Sequence, residues 1–253
     1  MKKLEQLLME RTNKKIYKSG NSLIKEFNCK LVPKADVLSE AVCQARVEGR
    51  GINVPELQEV FKVGDNWCIA TEFIEGETLE SFMNNNPEKK EEYLEKMVDL
   101  QIQIQQVDAP KLHRLTSKLQ DRISNTKDYI SATTRYELHS RLDAMPKHDK
   151  LCHCDFNPTN IIIDKKGDFY VLDWAHATKG NASADVAITY LWFGLKGRKE
   201  DAEKYLNLFC EKTDTAKQYV LRWVPIVAAA MSLKYEGEEK QFLLNTTDVV
   251  EYY

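Results

Sequence analysis

"HCDFNPTNIII", from His153 to Ile163, sets a histidine, an aspartate and an asparagine directly ahead of a run of β-branched residues. Such a run reads as buried strand. Polar side chains that abut a buried strand inherit its rigidity. The spacing is H-x-D-x-x-x-x-N, and beyond the turn "KKGD" a second strand-like run, "FYVLDW", carries Asp173. At average residue frequencies the first three positions alone would arise by chance in roughly one chain in a hundred of this length. The pattern therefore carries information: a loop, a strand, a tight turn and a strand, with polar groups at both ends.

Phosphoryl transfer supplies a reason for that set. It needs the nucleotide's oxygens neutralised and an alcohol aimed in line at the γ-phosphorus. Mg²⁺ keeps few protein ligands, one or two carboxylate or amide oxygens beside substrate phosphates. Asn160 and Asp173 flank one hairpin, so their side chains are expected to converge on one ion. Asp155, on the loop before it, is expected to orient the acceptor hydroxyl. An ordinary carboxylate, pKa about 4, cannot strip an alcohol beforehand, so Asp155 is expected to take the proton late, as the new P–O bond forms. His153 is expected to pack and to hydrogen-bond the loop backbone.

Composition sets outer bounds. The 253 residues, 43% hydrophobic and 30% charged, suit a globular chain with a sizeable core. A net charge of −3 argues against a nucleic-acid partner held by phosphate neutralisation and leans weakly towards a cationic small-molecule acceptor. Glu5, Gln6 and Glu10 interrupt the N-terminal region, leaving no signal-peptide core. No apolar run approaches a membrane span; the nearest, "VPIVAAAM" at 224–231, reads as buried helix. Six cysteines without a secretion signal read as cytoplasmic thiols. The Cys152-His153-Cys154 cluster lacks the second pair that a structural zinc site needs. On the same reading the sequons at Asn181 and Asn245 carry no meaning. Oligomeric state is not legible.

Read in order, the chain opens with β-rich segments around one helix. Lys14–Phe27 is a hairpin broken at Ser19-Gly20-Asn21, and Leu57–Phe73 a second one turning at Gly64-Asp65. Between them Ala35–Gly49 reads as helix, with Val37, Leu38, Ala41, Val42 and Ala45 on its apolar face. After Gly76 the pattern turns helical. Pro87–Val107 has proline at its start and a stripe of Tyr93, Met97, Leu100, Ile104 and Val107. More helix is expected over 112–145, and three apolar helices near 184–193, 202–210 and 219–233. The expected architecture is α+β and two-lobed: residues 1–75 form a small β-rich nucleotide-binding lobe with one helix. Residues 76–253 form a larger, mostly helical catalytic and substrate lobe, with a hinge at about 72–79. The aromatics Trp174, Tyr190, Trp192 and Trp223 read as helix packing rather than as a cage for a quaternary ammonium.

With these residues in view, the chain resembles the aminoglycoside phosphotransferase and choline kinase family, small-molecule relatives of the protein kinases. That family's H-G-D-x-x-P-x-N and following I-D-[FW] are similar to "HCDFNPTNIII" and "VLDW", with Pro158 in the proline's place. "EFIEGETL" (72–79) resembles its E-Y-I-x-G-x-x-L hinge, "ADVA" (184–187) its D-L-A, and "IQQVDAP" (104–110) a family helix end. The resemblance implies a protein-kinase-like fold with ATP and Mg²⁺ bound between the lobes and a small-molecule hydroxyl as acceptor. It implies that Lys25 grips the α- and β-phosphates with Glu40 as ion-pair partner, and that the backbone of Glu72 and Ile74 meets adenine. Asp185 would prop the catalytic loop or join the acceptor pocket. One departure stands out. The loop "ERTNK" (10–14) has no glycine to let backbone amides approach phosphates.

Two other readings stay open: a non-catalytic nucleotide-binding pseudokinase, and a protein kinase. The second is disfavoured because the chain has no D-F-G or A-P-E and little room after Asp173 for an activation segment. The acceptor itself is not legible. Aminoglycosides, choline, ethanolamine, homoserine and sugars all remain open, and so does ATP against GTP.

Overall fold

The computed structural model describes residues 4–109 and 111–247. The chain divides into two compact units. One comprises the residues up to Asn85 together with Pro158–His176, and the other comprises Asn86–Asn157 with the chain from Ala177. The "HCDFNPTN" stretch is therefore where the chain passes from the second unit into the first, between Asn157 and Pro158.

The first unit is built on a five-stranded antiparallel sheet. Its strands are β1 (Gln6–Glu10), β2 (Lys14–Ser19), β3 (Ser22–Phe27), β4 (Leu57–Val63) and β5 (Asn66–Glu72), in the order β1-β2-β3-β5-β4. Both expected hairpins are present, each closed by a glycine at positive φ, Gly20 at 55° and Gly64 at 58°. Side chains alternate across the sheet. One face packs Phe27 and Ile69 against Val37 and Ala41 of α1 (Lys34–Val47), and the other packs Ile24, Cys68 and Ala70. Lys25 shares Phe27's face, the one that α1 covers.

The expected face of α1 is rotated. Val37, Ala41, Cys43, Gln44 and Val47 are buried, while Val42 is 44% exposed and Ala45 faces solvent. Apolar counting misled because Gln44, a polar residue, belongs to the buried face and donates to the Pro55 carbonyl at 2.5 Å. The rotation matters, because it turns Glu40 towards the sheet.

A three-stranded sheet completes this unit: β6 (Gly76–Thr78), β8 (Ile161–Asp164) and β9 (Phe169–Val171), with β8 in the centre. It is followed by the 3₁₀ turn Trp174–His176, which packs on α1, and the short helix α2 (Leu79–Asn85) also belongs here. Gly76 has a steric reason. β6 pairs so closely with β8 that a Cβ would run into the Ile163 carbonyl.

The second unit is mostly helical. It contains α3 (Lys90–Gln106), α4 (Leu115–Ser124), α5 (Ala132–Ala144), α6 (Ala182–Leu195) and α7 (Lys199–Thr213). After them come α8 (Lys217–Leu221), α9 (Val224–Met231) and α10 (Gly237–Asn245). Its only regular strands among the described residues are β7 (Lys150–Cys152) and β10 (Thr178–Gly180), paired antiparallel. The expected helix over 219–233 divides near Trp223, where Pro225 falls in the first turn of α9. The buried stripe of α3 also differs from the sequence reading. Leu94, Met97, Val98, Gln101, Ile104 and Gln105 are buried, while Tyr93, Leu100 and Val107 are only partly so. Two glutamines on the buried face displaced the apolar count. Pro110, the last residue of "IQQVDAP", lies outside the described residues.

Candidate active site

In the first unit the period-two pleat and the rotation of α1 bring three predicted residues into contact. Lys25 Nζ lies 2.6 Å from Glu40 Oε1 and 3.0 Å from Asp173 Oδ1. The side chains of Lys25 and Glu40 are about 15% exposed or less, and Asp173 keeps 29%. Lys14 Nζ stands 3.8 Å from Asp173 Oδ2. Sequence reading missed Lys14, although strand register could have found it. Ile16 pairs with Lys25, so Lys14, two residues along β2, shares Lys25's face. Burial alone would push the Asp173 carboxyl up. Lys25 and Lys14 outweigh it and hold the group well below the usual carboxylate range. Against the same burial, Asp173 and Glu40 raise the Lys25 ammonium above its ordinary value.

Asp173 has φ 58°, the left-handed region, which aspartate tolerates better than most residues. The bend turns the chain out of β9 immediately after a hydrogen bond from Leu172 N–H to the Asn160 carbonyl, 2.8 Å. Ile161 then pairs with Val171. Asn160 and the residue before Asp173 are thus stitched together across the mouth of one hairpin. The donor types fit a hard cation: one carboxylate kept ionised and one amide oxygen. Among the described residues no three His, Cys, Asp or Glu side chains cluster as a self-sufficient metal site. The hinge candidates are in the same unit. The Glu72 amide donates to the Glu56 carbonyl at 2.8 Å and ends β5, and Ile74 is 8% exposed.

Asp155, His153 and Asp185 belong to the second unit, and the loop carrying Asp155 is fastened from several sides. Asp155 N–H donates to His153 Nδ1 at 3.2 Å, so that nitrogen is the acceptor; the ring is fully buried edge-on to Phe156. Asn157 Nδ2 reaches back to the Asp155 carbonyl at 2.9 Å and its carboxylate at 3.4 Å. Thr189 Oγ1 donates to the Phe156 carbonyl at 2.7 Å. Asp185, fully buried, accepts from Cys154 N–H at 2.7 Å, His153 N–H at 3.3 Å and Gln101 Nε2 at 3.1 Å. Burial raises its pKa in spite of those donors. Neither Asn157 nor Gln101 was singled out in the sequence. Asn157 follows the aspartate by two, an Asx-like spacing, but Gln101 is more than eighty residues from its partner and left no local signal.

Cys154 sits where the family pattern has glycine, and the backbone shows why glycine belongs there: φ is 63°. Its Sγ is 3.0 Å from Thr178 Oγ1, and burial pushes the thiol up to about 11. Cys152 points instead towards the carbonyls of Lys150 and Asn181. All six cysteines are free thiols. The aromatics serve cores of their own units. Trp174 donates to the Val171 carbonyl, Trp192 packs on Phe193, Trp223 is fully buried, and Tyr190 bonds Glu203.

A sheet with one covering helix, a lysine–glutamate pair and a following HxD…N…D stretch define a kinase-like α+β protein. The comparisons agree. The sequence model of the phosphotransferase enzyme family matches residues 13–219, and the chain belongs to that family. The expected class, an ATP-dependent small-molecule kinase, is borne out by that membership. Among solved structures, aminoglycoside phosphotransferase APH(4)-Ia in a ternary complex with ADP and hygromycin B matches with TM-score 0.71 and 13% identity, over 96% of this chain and 91% of that one. Choline kinase LicA from Streptococcus pneumoniae matches with TM-score 0.64 and 17% identity, over 96% and 92%. An aminoglycoside-3'-phosphotransferase of type VIII matches with TM-score 0.67 and 12% identity, over 89% and 93%. At such identities the likeness shows the fold. No curated protein matches the sequence. No helix among the described residues is long and apolar enough to cross a membrane.

Proposed function

We propose that the protein transfers the γ-phosphate of ATP to a hydroxyl of a small molecule, with Asp155 as the base. The first unit handles the nucleotide. Lys25, held by Glu40, would grip the α- and β-phosphates, and Lys14 supplies a second cation at the start of β2, just after a β1–β2 loop that lacks glycine. The Glu72 carbonyl and the Ile74 amide are the backbone groups that would meet adenine. Asn160 and Asp173 would hold Mg²⁺, which when bound neutralises phosphate charge. The solved relatives' complexes with ADP and hygromycin B support a nucleotide and a small-molecule acceptor.

The second unit handles the acceptor. Asp155 accepts the hydroxyl proton as the acceptor oxygen bonds to the γ-phosphorus and the bond from phosphorus to the bridging oxygen of ADP breaks. Orientation is the main contribution of the loop: His153, Asn157 and Asp185 fix the backbone on both sides of Asp155. The observation that carries this reading is the Glu40–Lys25–Asp173 cluster, because the three residues lie far apart in sequence and meet with one cation between two anions. The test is ADP release by purified protein with MgATP against a panel of amino alcohols, sugars, hydroxy acids and aminoglycosides. Turnover stimulated by at least one alcohol is expected. MgATP binding without stimulation by any member would favour the pseudokinase reading.

A further inference from the structure

The pocket beside Asp155 has an unexpected sign of charge. It lies wholly in the second unit, between α4, α9 and the turn after α9, and Lys118, Arg122 and Lys234 line it together with Asp155 and Tyr235. That is three cations against one carboxylate. Lys118 and Arg122 are one helical turn apart on α4, where like charges repel. Arg122 is half-buried, and loss of water lowers its guanidinium from the ordinary value. Lys234 keeps exposed surface. Even so, loss of water and the adjacent Arg122 hold its ammonium down at about 8, although Asp155 pulls the other way. Burial, with Asp155 and Glu239 nearby, pushes the Tyr235 phenol up to about 12, so it stays a neutral donor.

Three cations and one carboxylate give the pocket wall a net positive charge, which favours an anionic ligand. We propose that the acceptor is an alcohol carrying a carboxylate or phosphate, gripped by Arg122, Lys118 and Lys234 while its hydroxyl meets Asp155. The inference rests on the reading of Asp155 as the base. Arginine's planar fork matches either oxyanion with two parallel hydrogen bonds, and the lysines add point charge. A quaternary ammonium or a polyamine would instead meet three like charges. The pocket thus runs against the weak lean to a cationic acceptor drawn from the net charge of −3. Whole-chain charge says little about one cavity.

The experiment uses alcohols in matched triples: glycerol, D-glycerate or glycerol 3-phosphate, and 3-aminopropane-1,2-diol, then larger sugars, sugar acids and amino sugars. Binding is measured by calorimetry without nucleotide, then ADP release with MgATP, for the full chain and its Arg122→Glu and Lys234→Glu variants. In at least one triple the anion is expected to bind and turn over at least about tenfold better than its cationic mate, a difference of ~1.4 kcal/mol. Either charge reversal is expected to abolish or invert that order while MgATP affinity stays unchanged. Tighter binding of the amine in every triple, no binding of any anion, or an equal loss of MgATP affinity in Arg122→Glu would overturn the proposal. Anion binding that reverses with charge, but with no ADP release, would uphold the anion-binding pocket and refute the kinase reading.

Discussion

The two charged clusters of this molecule are built on opposite plans. In the first unit Lys25 lies between Glu40 and Asp173, each within 3.0 Å, so that cluster supplies its own counter-charges. In the second, Lys118, Arg122 and Lys234 gather around a single carboxylate and leave a positive excess. A balanced cluster holds its geometry and, on the proposed reading, would exchange partners when a nucleotide arrives. A net positive one, on the proposed reading, favours an anionic ligand. The difference separates a cluster whose charges the fold itself pairs from one whose lining is net positive.

The comparison breaks most visibly if the balanced cluster is opened. Asp173→Ala should weaken Mg²⁺-dependent ATP binding by about thirtyfold, since a charge-assisted contact is worth ~2 kcal/mol; titration with a fluorescent nucleotide checks it, and unchanged affinity would remove Asp173 as a ligand. The variant also has a pH signature. Because the folded pKa of Asp173 lies below its unfolded value, the pair stabilises fully above about pH 4 and less as pH falls further. Acid unfolding curves of the wild type and Asp173→Ala should therefore converge below that range.

Next in size is the support under Asp155. Asp185→Ala leaves the amides of His153 and Cys154 without their buried acceptor, which should cost roughly 1–3 kcal/mol in thermal or urea unfolding. Turnover should fall about tenfold with the KM for ATP unchanged, the mark of a positioning residue. A fall in stability with no change in turnover would make Asp185 structural only.

Smaller again is the pH dependence of the unbalanced pocket. With the Lys234 ammonium near 8, raising pH from 7 to 9 discharges it in the free enzyme. The kcat/KM for an anionic acceptor should drop severalfold over that interval. Lys234→Met should flatten that limb. The least effect is expected at Cys154. Glycine there relieves a left-handed φ but gives up the contact with Thr178, so Cys154→Gly should stay within about 1 kcal/mol of wild type. Valine at the same place should be plainly destabilising, because β-branching fits that φ badly.

Local features were legible in the sequence. The hairpins announce themselves through turn residues at Gly20 and Gly64, and the HxD…N…D spacing through residues that fold close to their neighbours in sequence. Long-range pairing was not legible. β7 and β10 are three residues each and exist only because they find one another across the intervening chain. The faces of α1 and α3 were misjudged where Gln44, Gln101 and Gln105 are buried. Gln101 is there because the buried Asp185 needs a donor, a requirement written elsewhere in the chain. Lys118, Arg122 and Lys234 look like ordinary surface charges until α4 and the turn after α9 set them around one pocket. Cys154 entered the sequence reading only as part of the Cys152-His153-Cys154 cluster, whereas its backbone shows a glycine position.

The most direct measurement is phosphorus NMR of MgATP with the best acceptor from the panel, for the wild type and Asp155→Ala. A phosphomonoester resonance should grow with wild-type protein and slow by at least about a hundredfold in the variant, with its fold and ATP affinity retained. Product formed at the wild-type rate by Asp155→Ala would contradict the assignment of Asp155 as the base.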